Sequence, residues 1–289
     1  MKTVIHTWTH EFNIDQIHLN KYNYFNETNF YFGLGDLIRS TIKLYYLSKL
    51  FNFNLIVDLQ LHPISEFLKV EKHEFSEYVL NNKHKVNYVC YGAVEDYLKN
   101  IQSKSESEPE SGSESESNYE NDVHLILTND FYELEEIDND CKNFIKKIFT
   151  PTEIFKQFIF NKINKIPFNK YTIFHYRVND NEFLNKNEDI NYEYFLNHLL
   201  KHKENNDVLI TDTKKLKKYL YLSDDIFMFE TKICHLGLSK DSDEIRDTLF
   251  ELFLVIYSSK IKTYCKIHSV SGFVKWVGKV YDIPIVTFN

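Results

Sequence analysis

Apolar positions along the chain switch repeatedly between two periods. Residues 36–51 carry apolar side chains at 38, 42 and 45, the spacing of one helix face. The run Asn54-Leu55-Ile56-Val57-Asp58-Leu59 follows without polar alternation, which predicts a strand buried on both faces. Further strands are predicted at 85–91 and 123–128, then at 171–177, 208–211, 226–230, 261–267 and 285–288. Helical patterns lie between them, including 244–257 with apolar residues at 245, 249, 252, 253 and 256. Thr150-Pro151-Thr152-Glu153 reads as a helix start, with Thr150 as cap, Pro151 in the first helical position and Glu153 closing a capping box. Strand–helix alternation of this kind predicts an α/β protein with mainly parallel sheets and helices on both faces. Two such units are expected, residues 1–150 and 151–289, with a ligand cleft between them or at the strand C-termini.

One segment breaks the pattern. Residues 103–122, SKSESEPESGSESESNYEND, contain six Glu, one Asp and one Lys, and no apolar residue except Tyr119. Such a stretch buries too little to offset its ordering entropy, so it is expected to be a disordered, solvated acidic insertion in the first domain. It carries −6 of the formal charge of −8.

Length and composition narrow the classes. A chain of 289 residues with 43% hydrophobic and 16% aromatic content can build two cores, which excludes wholesale disorder. The acidic balance gives no support to nucleic-acid binding by bulk charge. The longest apolar run, 252–257, is too short to span a bilayer, and residues 1–6 hold no apolar signal core. A soluble cytoplasmic protein is expected. Its four cysteines, Cys90, Cys141, Cys234 and Cys265, show no CxxC spacing and are expected to be reduced thiols. Ala occurs once and Arg three times, at Arg39, Arg177 and Arg246, beside 31 Lys, a bias expected of an AT-rich genome. Where Arg and Gly persist against that bias, a bidentate fork or a special backbone conformation is expected.

Three segments carry candidate chemistry. In Phe30-Tyr31-Phe32-Gly33-Leu34-Gly35-Asp36-Leu37-Ile38-Arg39, an aromatic strand is expected to run into a Gly-x-Gly turn that opens a helix. Such a turn admits close approach of a ligand, and the helix N-terminus offers N–H groups to an anion. Asp58, ending the next strand, lies where a dinucleotide fold places its ribose-binding acid, although Ile38 replaces the third glycine. The alternative is an ordinary β–α turn. In Ile173-Phe174-His175-Tyr176-Arg177-Val178-Asn179-Asp180, an apolar strand turns polar at its C-terminal end. Arg177 at that tip suits bidentate grip of phosphate oxygens, with His175 two residues back on the same face. The structural alternatives are a core histidine and an Arg177–Asp180 ion pair. In His268-Ser269-Val270-Ser271-Gly272-Phe273, hydroxyls and a glycine precede a helix, either as an anion cradle or as plain capping by Ser269 or Ser271.

Taken in order, GLGDLIRS, LIVDLQLHP, FHYRVND, LITDTKKL, LVIYSS and SVSGFVKW resemble the fucosyltransferase superfamily, which includes nodulation-type and core α1,6-, α1,2- and protein O-fucosyltransferases. The resemblance covers most of the chain outside the acidic insertion, and H-x-R-x-x-D is its most specific element. It implies a GT-B fold, two Rossmann-like domains facing across a cleft, the first serving the acceptor and the second the nucleotide sugar. It further implies inverting, metal-independent transfer of fucose from GDP-fucose to a glycan or protein hydroxyl. Arg177 would bind the diphosphate beside His175, Asp212 would line the nucleotide pocket, and Ser269, Ser271, Gly272 and Phe273 would form the phosphate turn. Gly33, Gly35, Asp36 and Arg39 would form a cleft loop. The nucleotide-binding acid would be Asp247 or Glu251, and Asp180, Glu182 and Asp36 are candidates for the base. Val178 departs from the second arginine of many members.

Other patterns are discounted. Asp138-Asn139-Asp140 and Asp241-Ser242-Asp243 are D-x-D tripeptides, the second resembling a helix cap. His198 and His202 stand i, i+4 without a third ligand, and Lys214-Lys215-Leu216-Lys217-Lys218 reads as an exposed helix face. No metal or cofactor is expected. The competing readings are an NAD(P)-dependent oxidoreductase built on Gly33, Gly35 and Asp58, and a catalytically silent glycan- or nucleotide-binding protein.

Overall fold

A computed structural model describes residues 1–10, 13–14, 33–89, 92–104, 123–178, 191–221, 226–232, 234–237, 239–266 and 270–288. The chain divides into two compact units, Met1–Thr150 and Pro151–Asn289. Among the described residues, each holds a five-stranded parallel sheet with helical crossovers, so the α/β class read from the alternation is the one observed.

In the first unit the strands are β1 (Thr3–Thr7), β2 (Asn13–Ile14), β3 (Asn54–Asp58), β4 (Asn87–Val89) and β5 (Val123–Thr128). They lie in the order β2-β4-β5-β1-β3. The helices are α1 (Leu34–Phe51), α2 (Ser76–Asn81), α3 (Val94–Lys104) and α4 (Asn139–Ile148). The pattern of the chain predicts nothing at Thr3–Thr7, yet β1 lies between β5 and β3 and is buried throughout. Its sequence TVIHT is too short and too polar to stand out, and only the flanking strands reveal its β-branched residues as core. Val4 packs with Leu44 and Leu47 of α1, Val89 and Ile126.

In the second unit α5 (Glu153–Ile163) precedes β6 (Thr172–Arg177), α6 (Tyr192–His202), β7 (Asp207–Thr211), α7 (Lys214–Tyr221) and β8 (Phe227–Met228). Then come α8 (Ser242–Ile256), β9 (Lys260–Cys265), α9 (Gly272–Tyr281) and β10 (Ile285–Thr287), in the sheet order β10-β9-β6-β7-β8. Helix α5 starts two residues later than its sequence suggests. Thr152 is the cap, its hydroxyl accepting from the Phe155 N–H at 3.3 Å, and Pro151 lies outside the helix. Thr150 ends the preceding segment instead, its carbonyl accepting from the Lys69 N–H at 2.8 Å. Phe174, Tyr176, Leu199 and Leu209 centre the core of this unit.

Among the described residues, the expected special backbone is found at one glycine, Gly92, with φ of 80°. Gly33 has φ of −82°, open to any residue, and a methyl group at Gly272 would meet nothing within 4 Å. The survival of glycine in this chain therefore does not by itself mark strained turns. Among the described residues, no helix is long and apolar enough to cross a membrane.

One inner strand of each sheet shares a device. His6 in β1 and His175 in β6 are 0% and 4% exposed, and each bonds a threonine hydroxyl through Nδ1, Thr41 at 3.1 Å and Thr263 at 3.0 Å. Burial pushes His6 down to about 4, against a backbone hydrogen bond to Thr128. Burial, with the Arg177 charge second, takes His175 down to about 3. Both are neutral imidazoles in the fold, whereas the unfolded chain protonates each near its ordinary 6.5. Below that value the unfolded state binds protons that the folded state excludes, so stability falls as pH drops towards the folded values. Denaturant melts at about pH 7 and about pH 5 should differ by about 2 kcal/mol for each histidine. Replacing either by Gln should flatten the dependence in its own unit, and an unaltered profile would contradict the assignment.

Candidate functional site

Parallel strands buried on both faces leave their polar chemistry to the carboxyl ends. In the second unit the register pairs Tyr176 with Thr211 and Arg177 with Cys265. The tips of β7, β6 and β9 are therefore level, and the turns leaving them, at Asp212 and Ser271, come to Arg177.

Arg177 is held from three sides. Its Nη1 donates to Ser271 Oγ at 2.8 Å, and its Nε lies 3.3 Å from Asp212 Oδ2, an ion-pair contact without the alignment of a hydrogen bond. Its carbonyl accepts from the Lys266 N–H at 3.1 Å. Ser271 is fully buried and is the N-cap residue of α9, but its hydroxyl makes no cap bond and serves the guanidinium instead. Its carbonyl accepts from the Lys275 N–H at 2.9 Å, closing the first turn. The leading N–H groups of α9 thus point to the same end of the sheet as Arg177, whose side chain is 21% exposed. An anion meeting this end would find a fixed guanidinium and helix donors together.

His175 stands behind Arg177 in the core, with its ring 6.3 Å from that of Phe273. Its Nδ1 is bonded to Thr263 and it is neutral, which suits support of the strand rather than acid–base work. Asp212 faces inward: Oδ1 accepts from the Val178 N–H at 3.3 Å and from Thr213 Oγ1 at 3.1 Å. Gly272 and Phe273 open α9. Ser269, Asp180 and Glu182 lie outside the described residues, as does the aromatic stretch before Gly33 and most of the acidic insertion.

The two acids open to choice on α8 are both engaged. Asp247 accepts from the Lys232 N–H at 2.9 Å and from Arg246 Nη2 at 3.0 Å. Glu251 Oε1 meets Thr231 Oγ1 at 2.5 Å and Lys217 Nζ at 3.1 Å, and Lys217 also bonds Thr231. These carboxylates clasp the segment after β8. Lys217 is the exception in the lysine run, half-buried while Lys214, Lys215 and Lys218 are exposed. No periodicity singles it out from its neighbours.

In the first unit the proposed cleft loop is not a loop. Gly33 caps α1, and Gly35, Asp36 and Arg39 belong to the helix. Asp36 Oδ2 accepts from the Gly33 N–H at 2.7 Å and Oδ1 meets Arg39 at 2.6 Å, while the Arg39 guanidinium lies 4.7 Å from the Phe131 ring centre. The motif acts as a helix start because an acid in the third helical position reaches back to the cap N–H. Asp58 is 1% exposed and accepts from His73 Nε2, the Gln60 N–H and Gln60 Nε2, each at 2.7 Å. A ribose cannot reach it, which removes the footing of the dinucleotide reading. Both D-x-D tripeptides are helix caps: Asp138 accepts from the Cys141 N–H at 2.7 Å and Asp241 from the Glu244 N–H at 3.0 Å. His198 bonds the Tyr176 hydroxyl through Nδ1 at 2.9 Å. Among the described residues, no group of three or more His, Cys, Asp or Glu side chains is placed to hold a metal ion.

Two parallel α/β units in one chain are the architecture of the GT-B class of fold, and the likeness to solved structures places the chain in it. Among solved structures, the chain is similar to NodZ alpha-1,6-fucosyltransferase soaked with GDP-fucose, at a TM-score of 0.53 and 11% identity over 100% of this chain and 95% of that one. NodZ co-crystallized with GDP gives 0.53 and 10% over the same shares, and NodZ from Bradyrhizobium gives 0.52 and 11% over 100% and 96%. The fold is thus fucosyltransferase-like. No family model and no curated protein matches the sequence.

Ser271→Ala should cost about 1 kcal/mol in urea denaturation, the low end for a lost partner, because water reaches part of the arginine. A loss above about 3 kcal/mol would mean that Ser271 supports more than Arg177.

Proposed function

We propose that this protein is a glycosyltransferase that moves fucose from GDP-fucose to a hydroxyl of a glycan or protein, with inversion and without a metal. The observation that carries the reading is the Arg177–Ser271 pair at the N-terminus of α9, in a fold like that of NodZ, an alpha-1,6-fucosyltransferase soaked with GDP-fucose in one structure and co-crystallized with GDP in another. In this reading residues 151–289 hold the donor and residues 1–150 serve the acceptor.

The chemistry follows from charge. As the bond between the anomeric carbon and the phosphate oxygen breaks, negative charge grows on the diphosphate. A guanidinium already fixed by Ser271 stabilises that charge with no reorganisation during the step, and the α9 N–H groups add to it. The acceptor oxygen forms the new bond to the anomeric carbon and gives its proton to a base. Asp180 is the proposed base. Glu182 is the second candidate, and Asp36, the third, is engaged by Gly33 and Arg39 and fits the role poorly. Phe273, Gly272, Ser269 and Asp247 complete the donor side of the proposal.

GDP should raise the melting temperature in the presence of EDTA, by the equivalent of about 2.7 kcal/mol at a hundredfold excess over Kd. NAD and NADP should not. Arg177→Ala should shrink that shift without removing it and lower turnover at least about a hundredfold, with the far-UV spectrum unchanged. Stabilisation by NAD alone, or undiminished turnover in Arg177→Ala, would overturn the reading. GDP binding without transfer to any acceptor would assign a silent binder.

A further inference from the structure

We propose that Asp212 is a positioning residue: it acts on the donor through Arg177 and makes no contact with the nucleotide itself. The inference rests on the donor-site reading above and assigns within it a role that the motif does not reveal.

A carboxylate beside an anion-binding arginine needs a reason, since its charge repels the ligand the arginine attracts. The contacts of Asp212 supply one. Oδ1 accepts from the N–H of Val178, the residue directly after Arg177, and from the hydroxyl of Thr213. Oδ2 lies 3.3 Å from Arg177 Nε. Both carboxylate oxygens are thus directed at the β6 tip and its neighbour, and the side chain is 13% exposed. Thr213 is itself pinned, its N–H donating to Thr211 Oγ1 at 3.3 Å. The end of β7 therefore forms a bracket for the end of β6. With Nη1 on Ser271 and Nε against Asp212, the guanidinium is held by protein at two of its three nitrogens, and its orientation is set before a ligand arrives.

The sign of one substitution separates the roles. Asp212→Asn keeps an oxygen for Val178 and Thr213 but removes the charge. A carboxylate that merely sat near the diphosphate would, on neutralisation, let GDP bind more tightly. A positioning carboxylate would, on neutralisation, weaken it, because a freed guanidinium loses alignment. A carboxylate that touches guanine or ribose would also weaken it, but independently of Arg177.

Calorimetric GDP titrations of the wild type, Asp212→Asn, Arg177→Ala and the double variant decide among these. The expected result is a Kd raised at least about tenfold by Asp212→Asn in the wild-type background and less than about twofold in the Arg177→Ala background. Equal weakening in both backgrounds, or tighter binding, would overturn the proposal. A second readout needs no ligand: the order parameter of the Arg177 Nε–H vector should be high in the wild type and fall in Asp212→Asn, with the melting temperature of the two within a few degrees. If the wild type binds no GDP, the donor-site reading fails while this resonance still tests the bracket. An Nε–H unaffected by Asp212→Asn would sink it.

Discussion

A guanidinium drawn mostly out of water must have its N–H groups met, and the carboxyl end of the second sheet is organised around that requirement. Arg177 sits at the tip of a strand whose preceding residues are all buried. Its hydrogen bond to Ser271 ties it to the start of α9, and its ion pair with Asp212 ties it to the end of β7. Two strands and a helix are thereby brought to one place by one side chain. The cap position of α9 gives its hydroxyl to the arginine rather than to its own helix, which leaves the leading N–H groups of that helix to other partners.

The rest of the chain shows how much acidic chemistry is taken up by architecture. Asp36, Asp138 and Asp241 each close the first turn of a helix. Asp58 organises Gln60 and His73 beyond β3, and Asp247 and Glu251 fasten the segment after β8 to α8. A chain with a single alanine and few glycines gains rigidity by such side-chain brackets, since Asp, Ser and Thr readily serve backbone N–H groups. The buried histidines belong to the same economy: each sits on an inner strand of its sheet as a neutral, hydroxyl-bonded ring. Their low proton affinity follows from burial and needs no catalytic purpose.

Two properties were legible in the linear chain because they depend on near neighbours. Periodicity distinguishes strand from helix, and its alternation through both halves is enough for two parallel α/β sheets. The rarity of arginine, with an apolar run ending on it, marks Arg177 as a strand-tip cation, and the hydroxyl-rich turn before α9 stands out by composition. What depended on partners remote in the chain was not legible. β1 shows as a core strand only between β5 and β3, and Asp58 loses its candidacy to a histidine 15 residues away. Lys217 differs from three neighbouring lysines only because Glu251 lies 34 residues further on, and Asp212 gains its place from Val178, 34 residues earlier. Local periodicity records which face of an element is buried, but the partner a polar group finds at that face is chosen by how the strands are ordered in the sheet.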